Sequence, residues 1–205
     1  MNGDDRMSEY EKVREIFKNG NELIRASDIT KHGIHSRALS KLMEAGVIVR
    51  IKRGYYQWIE DGELDEVEII TRLFPEAVFC MESALHYYGY VDRTPDRWHI
   101  AVSKDSNKSK YRIAYPPVKP YFIEPKYLDI GITNGNINDV SIRVYDRERC
   151  ICDLIRYANK FDREMVNQAI QTYVRDNHKN ISSLAEYAKI LRAYKKIQMW
   201  VGVWL

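Results

Sequence analysis

The chain lacks the features that define several protein classes. No apolar run reaches the roughly 18 residues that a membrane helix needs. The opening MNGDDRMSEYEK is acidic and polar, unlike a secretory leader, so a cytoplasmic location is expected. Cysteine is scarce. Cys80, Cys150 and Cys152 are an odd number without a disulfide framework, which suits a reducing compartment. Cys150-x-Cys152 has the wrong spacing for a zinc knuckle, and no Cys/His pair follows at ligand distance. These thiols are expected to be buried and reduced, and no metal or cofactor is expected. There is no glycine-rich phosphate loop, no internal repeat, and no low-complexity stretch beyond SKDSNKSK at 103–110. His86 and His99 stand beside aromatics and read as packed residues rather than bases.

Net charge is also small, at +3 over 205 residues, so its distribution carries the information. Between Ile24 and Trp58 there are seven Lys/Arg and two Asp/Glu; from Glu60 to Glu76 there are one and seven. From Arg97 to Lys126 the balance returns to seven against two. Alternating blocks of sign mark separate surfaces. The acidic Glu-Asp-Gly-Glu at 60–63 is the expected linker, dividing a first domain at 1–60 from a second at 61–205.

In the first domain Tyr10, Val13, Ile16 and Phe17 recur at helical spacing and stop at Asn19-Gly20. Ser27 is the expected cap of a short helix over Asp28 to His32, broken by Gly33. A further helix runs from His35 or Ser36 to Ala45, with Gly46 just past its end. Ile34 and Leu39 stand at the positions of a hydrophobic staple. On that helix Ala38, Leu39, Leu42 and Met43 share one face, while Ser36, Arg37, Ser40, Lys41 and Glu44 occupy the other. Val47 to Lys52, Arg53-Gly54 and Tyr55 to Trp58 then read as a β-hairpin. In it Val47, Val49 and Ile51 form an apolar face opposite Ile48, Arg50 and Lys52.

Helix, helix, helix, hairpin is the order of a winged helix-turn-helix. In that arrangement Ser36, Arg37, Ser40 and Lys41 face a DNA groove, where Arg37 and Lys41 reach base edges. Arg50, Lys52, Arg53 and Tyr55 meet the phosphate backbone.

The second domain reads as α+β. Helices are expected over Leu64 to Phe74 and Met81 to Tyr88. Strands are expected at Trp98 to Val102, Tyr111 to Ala114, Val118 to Ile123 and Val140 to Tyr145, the proline-rich ones confined to edges. A late helix carries a capping box, Ser183 with Glu186, and an apolar stripe through Leu184, Tyr187, Ala188, Leu191 and Tyr194. The tail MWVGVWL is apolar enough to dock on the core. The basic run bearing Lys104, Lys108, Lys110 and Arg112 is a solvated loop or a second surface for nucleic acid or a partner, with Tyr111, Tyr115, Tyr121 and Phe122 nearby. Asp96, Glu124 and Lys126 match the spelling of a metal-dependent nuclease site, the enzymatic alternative to a binding protein. Pro125 argues against it, because such a Glu-x-Lys must lie on a strand inside the sheet.

The segment GIHSRALSKLMEAGVIVRIKRGYYQW resembles the N-terminal domain of AbiEi-type antitoxins of abortive-infection, type IV toxin–antitoxin systems. The family's pattern L-x-x-L-x-x-x-G-x-[IVL]-x-R-[IV]-x-R-G-x-Y is met by Leu39, Leu42, Gly46, Ile48, Arg50, Ile51, Arg53, Gly54 and Tyr56. Further along, Phe74 to Phe79 with Glu82-Ser83-Ala84-Leu85 and Tyr88-Gly89-Tyr90 resembles a second family segment. Val144-Tyr145-Asp146-Arg147-Glu148-Arg149 with Asp153 resembles a third. Phe79 and Glu82 depart from the family's usual Ile/Val and His. The resemblance implies a non-enzymatic repressor that binds repeats in its own promoter as double-stranded DNA. It also implies an antitoxin opposing a co-encoded nucleotidyltransferase-like toxin.

Overall fold

The computed structural model describes residues 8–202, which divide into two units. The first comprises residues up to Arg72 together with Arg112–Pro116, and the second the remainder. Among the described residues no helix is long and apolar enough to cross a membrane.

The first unit begins with α1 (Glu9–Asn19), opened by a capping box in which Ser8 and Glu11 satisfy each other's backbone N–H groups. β1 (Leu23–Arg25) follows, then α2 (Ala26–Lys31), α3 (Ser36–Glu44), and a hairpin of β2 (Ile48–Lys52) and β3 (Tyr55–Trp58). The three strands form an antiparallel sheet in the order β1-β3-β2. Val13, Phe17, Ile29, Leu39, Leu42, Ile48 and Trp58 fill the space between sheet and helices. Two expectations are corrected. Ser27 does not cap α2, which starts two residues earlier because β1 ends at Arg25 and the Ala26 N–H is taken by the Gly54 carbonyl at 2.8 Å. Of the expected apolar face Val47, Val49 and Ile51, the first and last are buried but Val49 is not. Ile48 and Ile51 are buried and Val49 is 39% exposed, because a bulge between Arg50 and Lys52 shifts the two-residue alternation by one.

The unit also continues beyond residue 60. In the acidic stretch Glu60 accepts from the Tyr10 hydroxyl, and Asp61 pairs with Arg14 at 2.6 Å. α4 (Glu66–Leu73) is then tied down through Arg72, whose guanidinium donates to the carbonyls of Gly20 and Leu23. Those contacts, rather than the glycine at 62, decide where the unit ends.

The second unit is built on a five-stranded mixed sheet in the order β6-β5-β4-β8-β7. Its strands are β4 (Val78–Phe79), β5 (Trp98–Ser103), β6 (Val118–Ile123), β7 (Ile132–Ile137) and β8 (Val140–Tyr145). β6 carries Pro120 and lies at the edge. β5 does not alternate, since His99 to Val102 are all buried. The expected strand at Tyr111 to Ala114 is instead a 3-10 turn over Lys108–Tyr111 running into an irregular segment. The helices are α5 (Met81–Tyr87), the short α6 (Pro125–Leu128), α7 (Arg147–Arg156), α8 (Arg163–Arg175), α9 (Ile181–Ile190) and α10 (Tyr194–Val201). Asn180, not Ser183, caps α9, accepting from the Ser183 N–H. The stripe through Tyr194 is broken because the chain turns at Arg192, and Tyr194 starts α10. In the tail Val201 is buried but Met199 is 74% exposed; 203–205 lie outside the described residues.

α7 is buried continuously from Glu148 to Ile155, so it has no solvent face. Its charged residues are therefore answered internally. Arg149 (0% exposed) pairs with Asp153 (2%) at 2.8 Å, donates to the carbonyls of Tyr127 and Ile130, and lies over the Tyr145 ring. Glu148 accepts from the Asn180 N–H and the Tyr173 hydroxyl, and burial raises its pKa. Arg147 pairs with Asp176, which also accepts from the Tyr90 hydroxyl. Cys80, Cys150 and Cys152 are buried free thiols, as expected, with burial pushing Cys152 up to about 12.

Two predictions arise here. Asp153→Asn strands the Arg149 charge and costs about 3–5 kcal/mol in urea unfolding. The double variant Arg149→Met with Asp153→Leu loses less, and a double loss equal to or above the single would refute the pairing. His99 is held near a pKa of about 4 by burial, with Lys119 adding to the effect. The unfolded imidazole titrates near 6.5, so protonation favours unfolding. Stability is complete above about pH 6.5 and falls by about 3 kcal/mol as pH drops to about 4. His99→Gln flattens that slope in a pH series of denaturant melts.

Candidate nucleic-acid interface

α3 presents the two faces expected of it. Ala38, Leu39 and Leu42 are buried, Met43 partly so, and Ser36, Arg37, Ser40, Lys41 and Glu44 point to solvent. The helix starts at Ser36 after His35, whose side chain makes no capping bond, and Ile34 and Leu39 are both buried as a staple requires. Ser40 donates back to the Ser36 carbonyl at 3.3 Å, leaving Arg37 and Lys41 as the long polar reach of this face.

The hairpin tip is Arg53-Gly54, with Gly54 at φ +79° where a side chain would strain the backbone. Around it the three strands bring cations together. Tyr55 is registered against Arg25 on one side and Lys52 on the other. Cross-strand partners share a face, and the Arg25 guanidinium and Lys52 ammonium lie 5.3 and 4.5 Å from the Tyr55 ring centre. Arg50 and Arg53 are exposed beside them. Among the described residues no carboxylate pairs with Arg25, Arg37, Lys41, Arg50 or Arg53. Of the neighbouring acids, Asp28 pairs with Lys31 at 2.8 Å and Glu22 with Arg14 at 2.6 Å. A cationic face of this kind attracts polyanions.

Arg25 was not legible as a site residue. Its place follows from β1 joining the hairpin, and the three-residue Leu23–Arg25 is too short to show an alternation.

The other basic run does not gather into a comparable face. Lys110 pairs with Glu76 at 2.5 Å, Lys104 lies 3.7 Å from Glu124, and Lys108 lies over the Phe122 ring. Tyr111 is buried against Phe74 and Phe122, so it offers no ring for stacking. Arg112 belongs to the segment grouped with the first unit, in which the Ala114 N–H donates to the Ile51 carbonyl at 3.2 Å.

The nuclease-like trio is dispersed. β5 and β6 run parallel with Trp98 opposite Val118 and Ser103 opposite Ile123. Asp96 thus precedes one end of the pair and Glu124 follows the other, roughly 20 Å away. Glu124 caps α6 and pairs with Lys126 at 3.3 Å, off the sheet, while Asp96 pairs with Arg97.

Helix, strand, two helices and a hairpin with a cationic tip define the winged helix-turn-helix class. Residues 11–57, spanning α1 to β3, match the family model described as "Transcriptional regulator, AbiEi antitoxin". Among solved structures the chain is similar to that of the RV2827C protein from Mycobacterium tuberculosis. The two share 14% identity over 97% of this chain and 83% of that one, with a TM-score of 0.52, a likeness of fold. No curated protein matches.

Proposed function

We propose that the protein is a non-enzymatic, cytoplasmic antitoxin and repressor that binds double-stranded operator DNA in its own promoter through the first unit. It opposes a nucleotidyltransferase-like toxin. The observation carrying the DNA reading is the coincidence, inside the family-matched segment, of an exposed Arg37–Lys41 helix face with Arg25, Arg50 and Arg53 around the hairpin tip, none of which has a carboxylate partner among the described residues. α3 enters the major groove, with Arg37 on its first turn aimed at base edges. Arg25, Arg50, Lys52, Arg53 and Tyr55 meet phosphates. The antitoxin part rests on the family match and is tested by co-expression with a nucleotidyltransferase-like toxin, which restores growth if the pairing holds.

Two variants separate the roles. Arg25→Ala with Arg53→Ala weakens binding to every duplex and lowers the log–log salt slope by about two, one per lost phosphate contact, in fluorescence anisotropy. An unchanged slope removes the hairpin from the interface. Arg37→Ala lowers affinity for the promoter about tenfold to a hundredfold with little effect on a scrambled duplex, since a bidentate guanine contact is worth about 1–3 kcal/mol. Arg37→Lys restores charge but little specificity. Equal losses on both duplexes would make Arg37 a phosphate contact.

A further inference from the structure

The second unit contains a cavity of about 450 Å³ where the start of α6, the end of α7, the turn between α9 and α10, and α10 itself converge. Its charge is one-sided. Lys126, Arg156, Arg192 and Lys196 line it with a single carboxylate, Glu124. That carboxylate does not cancel them, because it is also approached by Lys104 at 3.7 Å in addition to Lys126 at 3.3 Å.

Arg156 links the cavity to the core. Its Nη1 donates to Asp153 at 3.0 Å, but Asp153 is already neutralised by the fully buried Arg149, so the trio carries a surplus positive charge. Arg156, a quarter exposed, is the member that reaches solvent. Lys196 donates to the Arg156 carbonyl at 3.5 Å, and among the described residues neither it nor Arg192 has a carboxylate partner. Arg192 sits at φ +57°, a left-handed conformation that strains a non-glycine residue. Glycine would serve the turn without that strain but would remove a cation from the cavity. Strain held at a charged position in a concavity is a mark of a binding function. Tyr127 and Tyr157 supply flat walls and hydroxyl donors.

We propose that this cavity binds a nucleoside polyphosphate, with the phosphates on Arg156, Arg192 and Lys196 and the nucleoside against the tyrosines. The volume falls in the range of small-ligand sites. Charge-assisted bonds from guanidinium groups suit phosphate oxygens. The proposal does not depend on DNA binding by the first unit.

The test is calorimetric titration of the full chain with ATP, and with inorganic tripolyphosphate as the base-free probe. ATP binds with a dissociation constant on the order of 100 µM or below and tripolyphosphate binds more weakly. Arg192→Asn, which tolerates the left-handed backbone, and Lys196→Glu each weaken ATP binding about tenfold or more while unfolding temperatures hold. Arg53→Ala, on the hairpin of the first unit, leaves ATP affinity unchanged. Absence of ATP binding at about 1 mM overturns the proposal, as does wild-type affinity in both variants. Equal binding of tripolyphosphate removes the nucleoside from it. A purely structural role for these cations would lower the unfolding temperature without altering ATP affinity, and that result also overturns it.

Discussion

The second unit depends on the Arg149–Asp153 pair inside α7. A helix buried on every side is ordinarily apolar all round, yet this one carries three charged residues into the interior in Glu148, Arg149 and Asp153. Desolvating them costs several kcal/mol each unless every charge finds a partner of good geometry. The fold answers most of that demand by bringing chain to the helix, although Arg149 Nη2 is buried without a hydrogen-bond partner among the described residues. The carbonyls of Tyr127 and Ile130 turn inward to Arg149, the Asn180 N–H and Tyr173 hydroxyl to Glu148, and Tyr187 to Asp146. The stretch before β7 and the start of α9 are placed by α7's charges as much as by apolar packing. The pair contributes uniqueness of arrangement, because an alternative packing would leave a buried charge exposed to nothing.

In the first unit the corresponding constraint is separation of charge by sign. The acidic residues after the hairpin are engaged on the side of α1, where Arg14 holds both Glu22 and Asp61 and lies over the Trp58 ring. With those carboxylates occupied, Arg25, Arg37, Lys41, Arg50 and Arg53 remain without one among the described residues. A cation already neutralised within its own chain has little to offer a phosphate, so this division leaves the remaining cations with their charge available. The bulge in β2 contributes to the same end. It buries Ile51 and turns Val49 and Arg50 outward, so the basic residues stay on the surface while Ile48 and Ile51 complete the core.

Much of this was legible in the residues. Helix α3, its two faces, Gly46 beyond its end and the Arg53-Gly54 tip follow from periodicity and the glycine positions, since each is a short-range property of a few neighbouring side chains. The burial of the three cysteines follows from their surroundings in the same way. The phase of β2 was not legible, because a bulge is a property of two strands and Val-Ile-Val-Arg-Ile-Lys alternates equally well in either register. Nor were β7, whose Asn and Gly residues lower its strand propensity although it pairs with the next strand β8, or the 3-10 turn at Lys108–Tyr111, where Tyr111 meets Phe74 and Glu76 far back in the chain.

The amino-acid sequence by itself determined the winged arrangement and its basic face, because local spacing sets both which side of a helix is apolar and where a chain can turn. Only the tertiary structure decided which charges remain available. Lys104 and Lys110 are spelled as plainly as Arg37 and Arg53, yet Glu124 and Glu76 approach the first two and, among the described residues, no carboxylate pairs with the others. Arg25 joins the site only because β1 pairs with β3, and Arg156 carries surplus charge only because Arg149 has already met Asp153. Ion pairing acts through space, and the distances that govern it come into being when the chain folds.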